Sequence, residues 1–146
     1  MLVDDAVSTL EDQAVQFSVL SNDVDADGFI DQSTVEVISD PLGGEVLVDV
    51  VTGEITYTPD QDWAGVDSFT YQVADEVGAL SGTATVTVTV QEVNDAPVAI
   101  ADSLSTNEDT SVFVSPLAND TDVDGVAVAS TLELVSLASN GSVSLG

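Results

Sequence analysis

The chain has no lysine, arginine, histidine or cysteine in its 146 residues. Its 27 aspartate and glutamate residues therefore give a formal net charge of −27. Without histidine, cysteine or lysine, it cannot form a Ser-His or Cys-His nucleophile, a Schiff base or a zinc site of the usual kind. Without basic residues it cannot clamp phosphate groups. We therefore expect neither a nucleic-acid partner nor binding to an anionic membrane.

The chain also lacks the signs of a disordered, membrane-spanning or leader sequence. Hydrophobic residues make up 44% of it, which is too many for the disordered class of low hydrophobicity and high charge. No apolar run approaches the ~20 residues of a membrane span. The first residues have neither the basic nor the apolar region of a signal peptide, so we expect any such segment to lie elsewhere.

The sequence repeats itself after 97 positions. Glu11 and Glu108 have this spacing, and so do Gly28 and Gly125. The period is too long for a solenoid and is typical of a whole β-sandwich domain.

This repeat predicts the domain organisation. We expect a complete domain over 1–96, ending in a linker over 92–97. We expect the N-terminal half of a second domain over 97–146, because that part has counterparts of only the first two or three strands. Half a sandwich leaves strand edges open. This half is therefore predicted to be poorly ordered alone, or to pair along an edge with a neighbouring molecule.

Alternation of apolar and polar residues predicts strands with one buried and one wet face. Turn residues separate these segments, and no window of helical length shows a 3.6-residue stripe. Six or seven short strands with this punctuation predict an all-β, antiparallel sandwich. The clearest strand segments are 15–19, 35–37, 46–50, 55–57, 69–73 and 84–90.

The sharpest local motif, Asn-Asp-x-Asp-x-Asp-Gly, occurs at 22–28 and again at 119–125. Its alternate aspartates can face one point if the loop curls, and its glycine would permit a turn with positive φ. It is similar to the start of an EF-hand loop, but Thr34 and Thr131 replace the required twelfth-position Glu. We therefore reject an EF-hand. A solvated Asx turn is the alternative for one copy, whereas the duplication favours Ca²⁺, which suits clustered carboxylates.

Two further groups of oxygen-bearing side chains accompany these loops. Glu92, Asn94 and Asp95 precede Pro97, which favours a stiff, extended connection. Early Glu-Asp pairs begin at Glu11 and at its counterpart 97 positions later.

These groups resemble the cadherin family. Cadherin repeats join at an Asp-x-Asn-Asp-x-x-Pro-like linker, and 92–97 looks like a shortened version of it. They also carry an early Glu and an Asp-x-Asp before a Gly. The whole chain is more similar still to the bacterial cadherin-like or Ig-like tandem repeats of large secreted RTX-type adhesins. The motifs that carry this likeness are Leu-x-Asn-Asp-x-Asp-x-Asp-Gly, Thr-Tyr-Thr-Pro at 56–59, Gly-Val-Asp-Ser-Phe-Thr-Tyr at 65–71 and Val-Asn-Asp-Ala-Pro at 93–97.

The resemblance implies an Ig-like or cadherin-like sandwich that serves as a calcium-rigidified spacer of an extracellular bacterial adhesin. Such a spacer would support cell-surface adhesion or biofilm formation, and its partners would be neighbouring repeats and a cell-surface glycan or protein. Ca²⁺ would bind at the junction between repeats. Asp67 departs from the family's Asp-x-Glu pair, because Ser68 and Phe69 follow it. The implied metal ligands are Glu11, Asp23, Asp25, Asp27, Asp67, Asp75, Glu92, Asn94, Asp95, Glu108, Asp120, Asp122 and Asp124.

Two other functions stay open. A module for carbohydrate or homophilic recognition would need an exposed aromatic patch, for which only Trp63 and Phe29 qualify; the position of Trp63 before Gly65 favours a core plug. An accessory domain of a secreted enzyme is the other alternative. Paired carboxylates can hydrolyse glycosides, but no apolar-lined cleft is indicated to raise the pKa of one of them. We therefore expect no catalysis by this chain.

Overall fold

The computed structural model describes residues 1–125, 131–136 and 138–145. The chain divides into two compact units, Met1–Val93 and Asn94–Gly146. The predicted second domain, 97–146, thus includes positions 126–130, 137 and 146, which lie outside the described residues.

The first unit consists of seven β-strands, and the described residues contain no helix. Six of the strands follow the alternating segments of the sequence. The first strand, Asp5–Leu10, was not expected, because Val7 is the only strongly apolar residue on its half-buried face. The strands are β1 (Asp5–Leu10), β2 (Val15–Ser18), β3 (Ile30–Ser39), β4 (Gly44–Val48), β5 (Glu54–Pro59), β6 (Gly65–Asp75) and β7 (Ala84–Gln91).

The strands form two sheets, with the orders β1-β7-β6-β3 and β2-β5-β4. This architecture confirms the predicted all-β sandwich. Four of the five pairings in the first unit are antiparallel, and the edge strand β1 runs parallel to β7, with Val7 opposite Val88.

The inward faces of both sheets form one core. Tyr57 and Tyr71 are completely buried in it, as predicted, and each hydroxyl group reaches acceptors at one end of the sandwich. Trp63 is partly buried against this core and covers Gly43, so the core-plug interpretation of this side chain is confirmed.

The alternating segment 46–50 is shorter in the structure than in the prediction. β4 ends at Val48, and Val50 is exposed. Asp49 ends the strand, because its Oδ1 accepts hydrogen bonds from the backbone N–H groups of Val51 (2.8 Å) and Thr52 (3.2 Å). This short-range Asx turn competes with continued strand pairing.

The second unit has no strand within its described parts, which are 94–125, 131–136 and 138–145. An isolated antiparallel bridge joins Val98 and Thr121. Whether this unit pairs with a neighbouring molecule stays a prediction.

Candidate functional site

The connections between strands place the predicted metal ligands of the first unit at two opposite ends. β6 begins near Asp67, which lies opposite Val88 near the end of β7. It finishes at Asp75, which lies opposite Ile30. Since β6 is an extended strand of 11 residues and Asp67 lies eight positions before Asp75, the two carboxylates cannot bind one ion together.

Glu11 lies at the same end as Asp67 and is only 5% exposed. Its backbone N–H donates to the carbonyl of Gln91 (2.9 Å), and its Oε1 accepts the N–H of Val93. The next residue, Asp12, has a φ of 57° and accepts the N–H of Asp62 through its Oδ1 (3.1 Å). The early Glu-Asp pair thus fastens the segment that follows β7 and the loop after β5.

Asp67 is 6% exposed, and four donors surround its carboxylate. Oδ1 accepts the N–H groups of Leu42 (3.0 Å) and Ser68 (2.8 Å), and Oδ2 accepts the N–H of Gly43 (2.8 Å) and the hydroxyl of Tyr57 (3.0 Å). Burial by itself would raise the pKa of Asp67, but these hydrogen bonds outweigh it and lower the pKa. Asp67 is therefore an anchor for the turn before β4, a role that the sequence analysis missed.

Asp75 has a similar local role at the opposite end. Its Oδ1 accepts the N–H groups of Val77 (2.9 Å) and Ala79 (2.8 Å) and so closes the turn between β6 and β7. The structure thus separates Asp75 from Glu11 and brings it to the end that carries the 22–28 loop.

Asp23 holds the N-terminal segment of the first unit. Its Oδ1 accepts the N–H of Val3 (2.8 Å), and its Oδ2 accepts the hydroxyl of Tyr71 (2.7 Å). The same hydroxyl lies 3.1 Å from Asp5 Oδ2 and 2.9 Å from the carbonyl of Val19. One hydroxyl proton cannot satisfy three acceptors. Burial, followed by repulsion from Asp23, raises the pKa of Asp5 despite its hydrogen bond to Tyr71.

The other two aspartates of the 22–28 loop are less engaged. Asp25 is half-buried and Asp27 is exposed. Within the described structure, neither carboxylate accepts a hydrogen bond.

Gly28 ends this loop for a different reason from the one predicted. Its φ is not positive. A Cβ at this position would instead lie 2.4 Å from Oε1 of Glu76. The carboxylate of Glu76 packs over the glycine and accepts the N–H of Phe29 (2.6 Å). The glycine therefore provides room for a close contact.

In the second unit, the 119–125 loop gathers part of the preceding segment. Asp120 Oδ1 accepts the N–H of Ile100 (2.8 Å), and Asp124 Oδ2 accepts the N–H of Asp95 (2.9 Å). Hydrogen bonding with Asp124, then burial, raises the pKa of Asp122. The backbone hydrogen bond from Asp95 lowers the pKa of Asp124.

The remaining predicted ligands make few contacts. Glu92, Asn94 and Glu108 are exposed. The side-chain amide of Asn94 donates to the carbonyl of Asp95. The carbonyl of Glu108, and not its carboxylate, accepts the Thr110 hydroxyl (3.3 Å).

The donor chemistry of the 119–125 loop fits a hard cation. Asp122 Oδ1 is shielded from solvent and has no hydrogen-bond partner, and Asp124 and Asp95 are its acidic neighbours. The chain has no basic side chain that could balance these charges. Among the described residues, however, no three or more acidic side chains converge closely enough to hold a metal ion as they stand. Of the predicted ligands, Asp122 is hydrogen-bonded to Asp124, and Asp124 also accepts the backbone N–H of Asp95, whose charge acts on Asp122.

Comparison with known protein families identifies the family of the first unit. The model of the bacterial cadherin-like domain family matches residues 2–92. The chain belongs to this cadherin-like family. The model of the bacterial Ig domain family matches residues 94–146. Domains of these kinds are typical of extracellular or surface proteins and are typically non-catalytic, and cadherin-like domains commonly bind calcium.

Comparisons with solved structures and with curated proteins add little about function. The cadherin-like chain is similar to the solution structure of the PKD domain from the KIAA 1837 protein, with 23% identity and a TM-score of 0.40. The similarity covers 61% of this chain and 80% of that one. No curated protein matches the chain. No helix in the described residues is long and apolar enough to cross a membrane.

Proposed function

We propose that the chain is a calcium-rigidified structural spacer of a bacterial surface adhesin of the RTX type. In this role it separates other domains from the cell surface and supports adhesion or biofilm formation. Its partners are neighbouring repeats of the same array, and it has no catalytic activity.

The observation that carries this proposal is the unbalanced carboxylate group of the second unit. Asp122 has a solvent-shielded oxygen without a hydrogen-bond partner, next to Asp124. Burying a charged oxygen without a partner is costly, and a divalent cation would satisfy it. Calcium accepts carboxylate, amide and backbone carbonyl oxygens in flexible geometry, so it suits a loop of this kind.

The proposed mechanism is electrostatic. Without a cation, the carboxylates of the 119–125 loop repel one another and Asp95, which favours loose conformations of the adjoining segment. A bound Ca²⁺, held by Asp95, Asp122 and Asp124, replaces that repulsion with shared coordination. Ordering the segment next to a domain restricts the freedom of an array and makes it a stiffer spacer. The same ion stabilises the folded chain, because it binds the folded state preferentially.

Thermal unfolding of the whole chain tests this function. Extracellular calcium sites can have dissociation constants of roughly 10⁻⁴–10⁻³ M. About 10 mM CaCl₂ should therefore raise the unfolding temperature relative to a chelator. It should also narrow the distribution of interatomic distances that small-angle scattering measures, because the chain samples fewer conformations. An equal ionic strength of NaCl is the control for screening.

A matched pair of variants makes the test site-specific. Asp122→Asn should remove most of the calcium response, whereas Glu45→Gln, an exposed change on β4, should keep it. If calcium raised the unfolding temperature equally in both variants, the effect would come from general screening of charge. No response in the unaltered chain would overturn the calcium function.

Phe29 supports recognition as the second candidate function. Its ring is 80% exposed, although its backbone is fixed by Glu76. A binding screen with surface glycans that compares the unaltered chain with Phe29→Ser would test this alternative, and equal binding would contradict it.

A further inference from the structure

The outer face of the larger sheet carries no charged side chain on β1, β7 or β6. The positions that alternate with core positions on these three strands are occupied by Thr, Ser, Gln, Ala, Leu and Val. Strand pairing sets these side chains in rows, and in the central row Thr87 lies between Ala6 and Ser68. We refer to this surface as the neutral face.

The absence of charge on this face stands out in a chain with 27 acidic residues. The outer face of the smaller sheet carries Glu45 and Glu54. Every connection between the strands of the first unit also carries at least one acidic residue. On the fourth strand of the larger sheet, Glu36 lies at the margin of the neutral face, where its Oε2 accepts the side-chain amide of Gln72 (3.0 Å). Carboxylates therefore border the neutral face but do not lie on it.

The neutral face offers both apolar surface and free polar groups. Val66 is 70% exposed and lies beside Thr89, which pairs with Ser8 on its other side. Within the described structure, the hydroxyl groups of Ser8, Thr87 and Thr89 make no hydrogen bond. A partner that packs on this face can therefore bury apolar atoms and supply hydrogen bonds to these hydroxyl groups.

The charge distribution points to a second copy of the chain as that partner. Because the chain has no basic side chain, two copies cannot complement each other's carboxylates with their own side chains. A contact through the turns or through the smaller sheet would set carboxylates against carboxylates, which is costly. A contact between two neutral faces avoids this cost, and a two-fold axis would use the same patch on both copies.

We propose that the chain self-associates through the neutral face, with two first units packed sheet against sheet, and that ionic strength controls this association. The face covers roughly 300–400 Å² per copy, from the spacing of three strands and their rise per residue. A pair would bury on the order of 700 Å², less than the roughly 1,200 Å² of a stable interface, so the association is weak.

Salt strengthens this contact, whereas salt weakens a contact held by ion pairs. Two copies with a net charge of −27 each repel one another around the contact. The screening length falls from about 10 Å at 0.1 M salt to about 3 Å at 1 M, so this repulsion fades while the neutral contact persists. The association requires no calcium and does not depend on the spacer function proposed above.

Sedimentation equilibrium of the whole chain in the presence of a chelator tests the proposal. Between about 20 mM and about 1 M NaCl, the association constant should rise at least about tenfold. A chain that stays monomeric at every salt concentration would overturn the proposal. A chain that associates in chelator but gives no thermal response to calcium would keep the neutral-face contact and lose the spacer function, so the two failures are distinguishable.

Two matched variants locate the contact. Thr87→Glu and Thr56→Glu each add one charge at a half-buried, outward-facing threonine, the first on β7 and the second on β5 of the smaller sheet. The added general repulsion is therefore the same. In about 1 M NaCl, Thr87→Glu should weaken the association at least about tenfold more than Thr56→Glu does. Equal weakening would place the contact elsewhere, for example at exposed apolar residues of the second unit, and would overturn the proposal.

A third variant keeps the test decisive if Thr87→Glu fails to fold, which thermal unfolding would reveal. Thr87→Val keeps the shape of the side chain and replaces its hydroxyl group with a methyl group, which adds apolar surface to the contact. It should strengthen the association in about 1 M NaCl without lowering the unfolding temperature. An association constant equal to that of the unaltered chain, or a smaller one, would contradict burial of this side chain in the contact.

Discussion

The two units of this chain share a sequence pattern but differ in how much structure it produces. In the first unit the pattern is completed by β5, β6 and β7, and the result is a two-sheet sandwich. In the second unit the described residues keep the loop contacts and contain no strand. Comparison of the two units shows that the loop hydrogen bonds form without a sheet, whereas the strands form only where the later strands of the domain are present.

Some of the contacts that recur lie within a single turn around the early Glu-Asp pairs. Asp12 and Asp109 both have positive φ, at 57° and 54°. The hydroxyl groups of Thr9 and Thr106 each donate to a backbone carbonyl four residues ahead, at 2.7 and 2.9 Å. Such short-range hydrogen bonds need only the nearby chain. The pairing of β2 with β5, in contrast, joins residues that lie 36 to 42 positions apart, such as Ser18 with Glu54 and Val15 with Tyr57.

The largest expected effect is on the core. Ile55→Ala removes a completely buried side chain between the sheets and should lower the free energy of unfolding by about 2–5 kcal/mol. Val135→Ala, at a side chain that is 95% exposed in the second unit, should change it by no more than about 0.5 kcal/mol. Chemical denaturation measures both. A comparable loss in the two variants would mean that the second unit has a core of its own.

The next effect concerns the buried carboxylate of the first unit. Asp67→Asn keeps the shape but replaces an acceptor with a donor that faces backbone N–H groups, so we expect a loss of about 1–3 kcal/mol. Because folding lowers the pKa of Asp67, its stabilisation is present above the unfolded-state pKa and is lost as the pH falls through the folded-state value.

The unaltered chain should therefore lose stability in acid more steeply than Asp67→Asn. Unfolding curves between about pH 2 and pH 7 measure this difference. Asp40→Asn, at an exposed position, serves as the control and should follow the unaltered chain. Parallel curves for all three proteins would refute the anchoring role of Asp67.

A smaller effect of opposite sign is expected at Asp5. Folding raises the pKa of this residue, so its contribution is favourable below the unfolded-state pKa and is lost as the pH rises through the folded-state value. Asp5→Asn removes the desolvated charge next to Asp23 and leaves an amide oxygen that can still accept the Tyr71 hydroxyl, so it should stabilise the first unit by about 0.5–1.5 kcal/mol at pH 7. The gain should vanish near pH 2. A destabilising effect at pH 7 would show that Asp5 is held by other contacts.

The smallest expected effect compares the two loop glycines. Gly28→Ala would force the Glu76 carboxylate to move and weaken its bond to the N–H of Phe29, at a cost of about 0.5–1.5 kcal/mol. Gly125→Ala meets only Asp122 at 3.4 Å, an ordinary contact, and should be nearly neutral. Equal costs would point to a conformational requirement that both glycines share.

Sequence reasoning predicted much of the fold, because alternation of Val and Thr directly marks half-buried strands. β7 (Ala84–Gln91), for example, alternates buried valines with threonines on its outer face. β1 escaped prediction because an edge strand that pairs on one side needs little apolar surface, so Asp5 and Thr9 can share a face with Val7.

The candidate site was less predictable than the fold. Sequence spacing identified the acidic groups but could not show that Asp67 and Asp75 lie at opposite ends of β6. It also could not distinguish a carboxylate that binds backbone N–H groups from one that is open to a cation, because both types follow the same turn-forming pattern. The contact of Glu76 with Gly28 joins loops 48 positions apart and leaves no local sequence signal.

Calcium titration of the isotopically labelled chain, followed by amide and carboxyl NMR shifts, tests the central claim most directly. We expect saturable shifts at Asp95, Asp122 and Asp124 at millimolar or lower Ca²⁺, with little change at Asp40 and Glu45. Mg²⁺ should bind more weakly than Ca²⁺, because it requires near-ideal octahedral geometry. Shifts that rise together over all acidic residues, in proportion to ionic strength, would contradict the account.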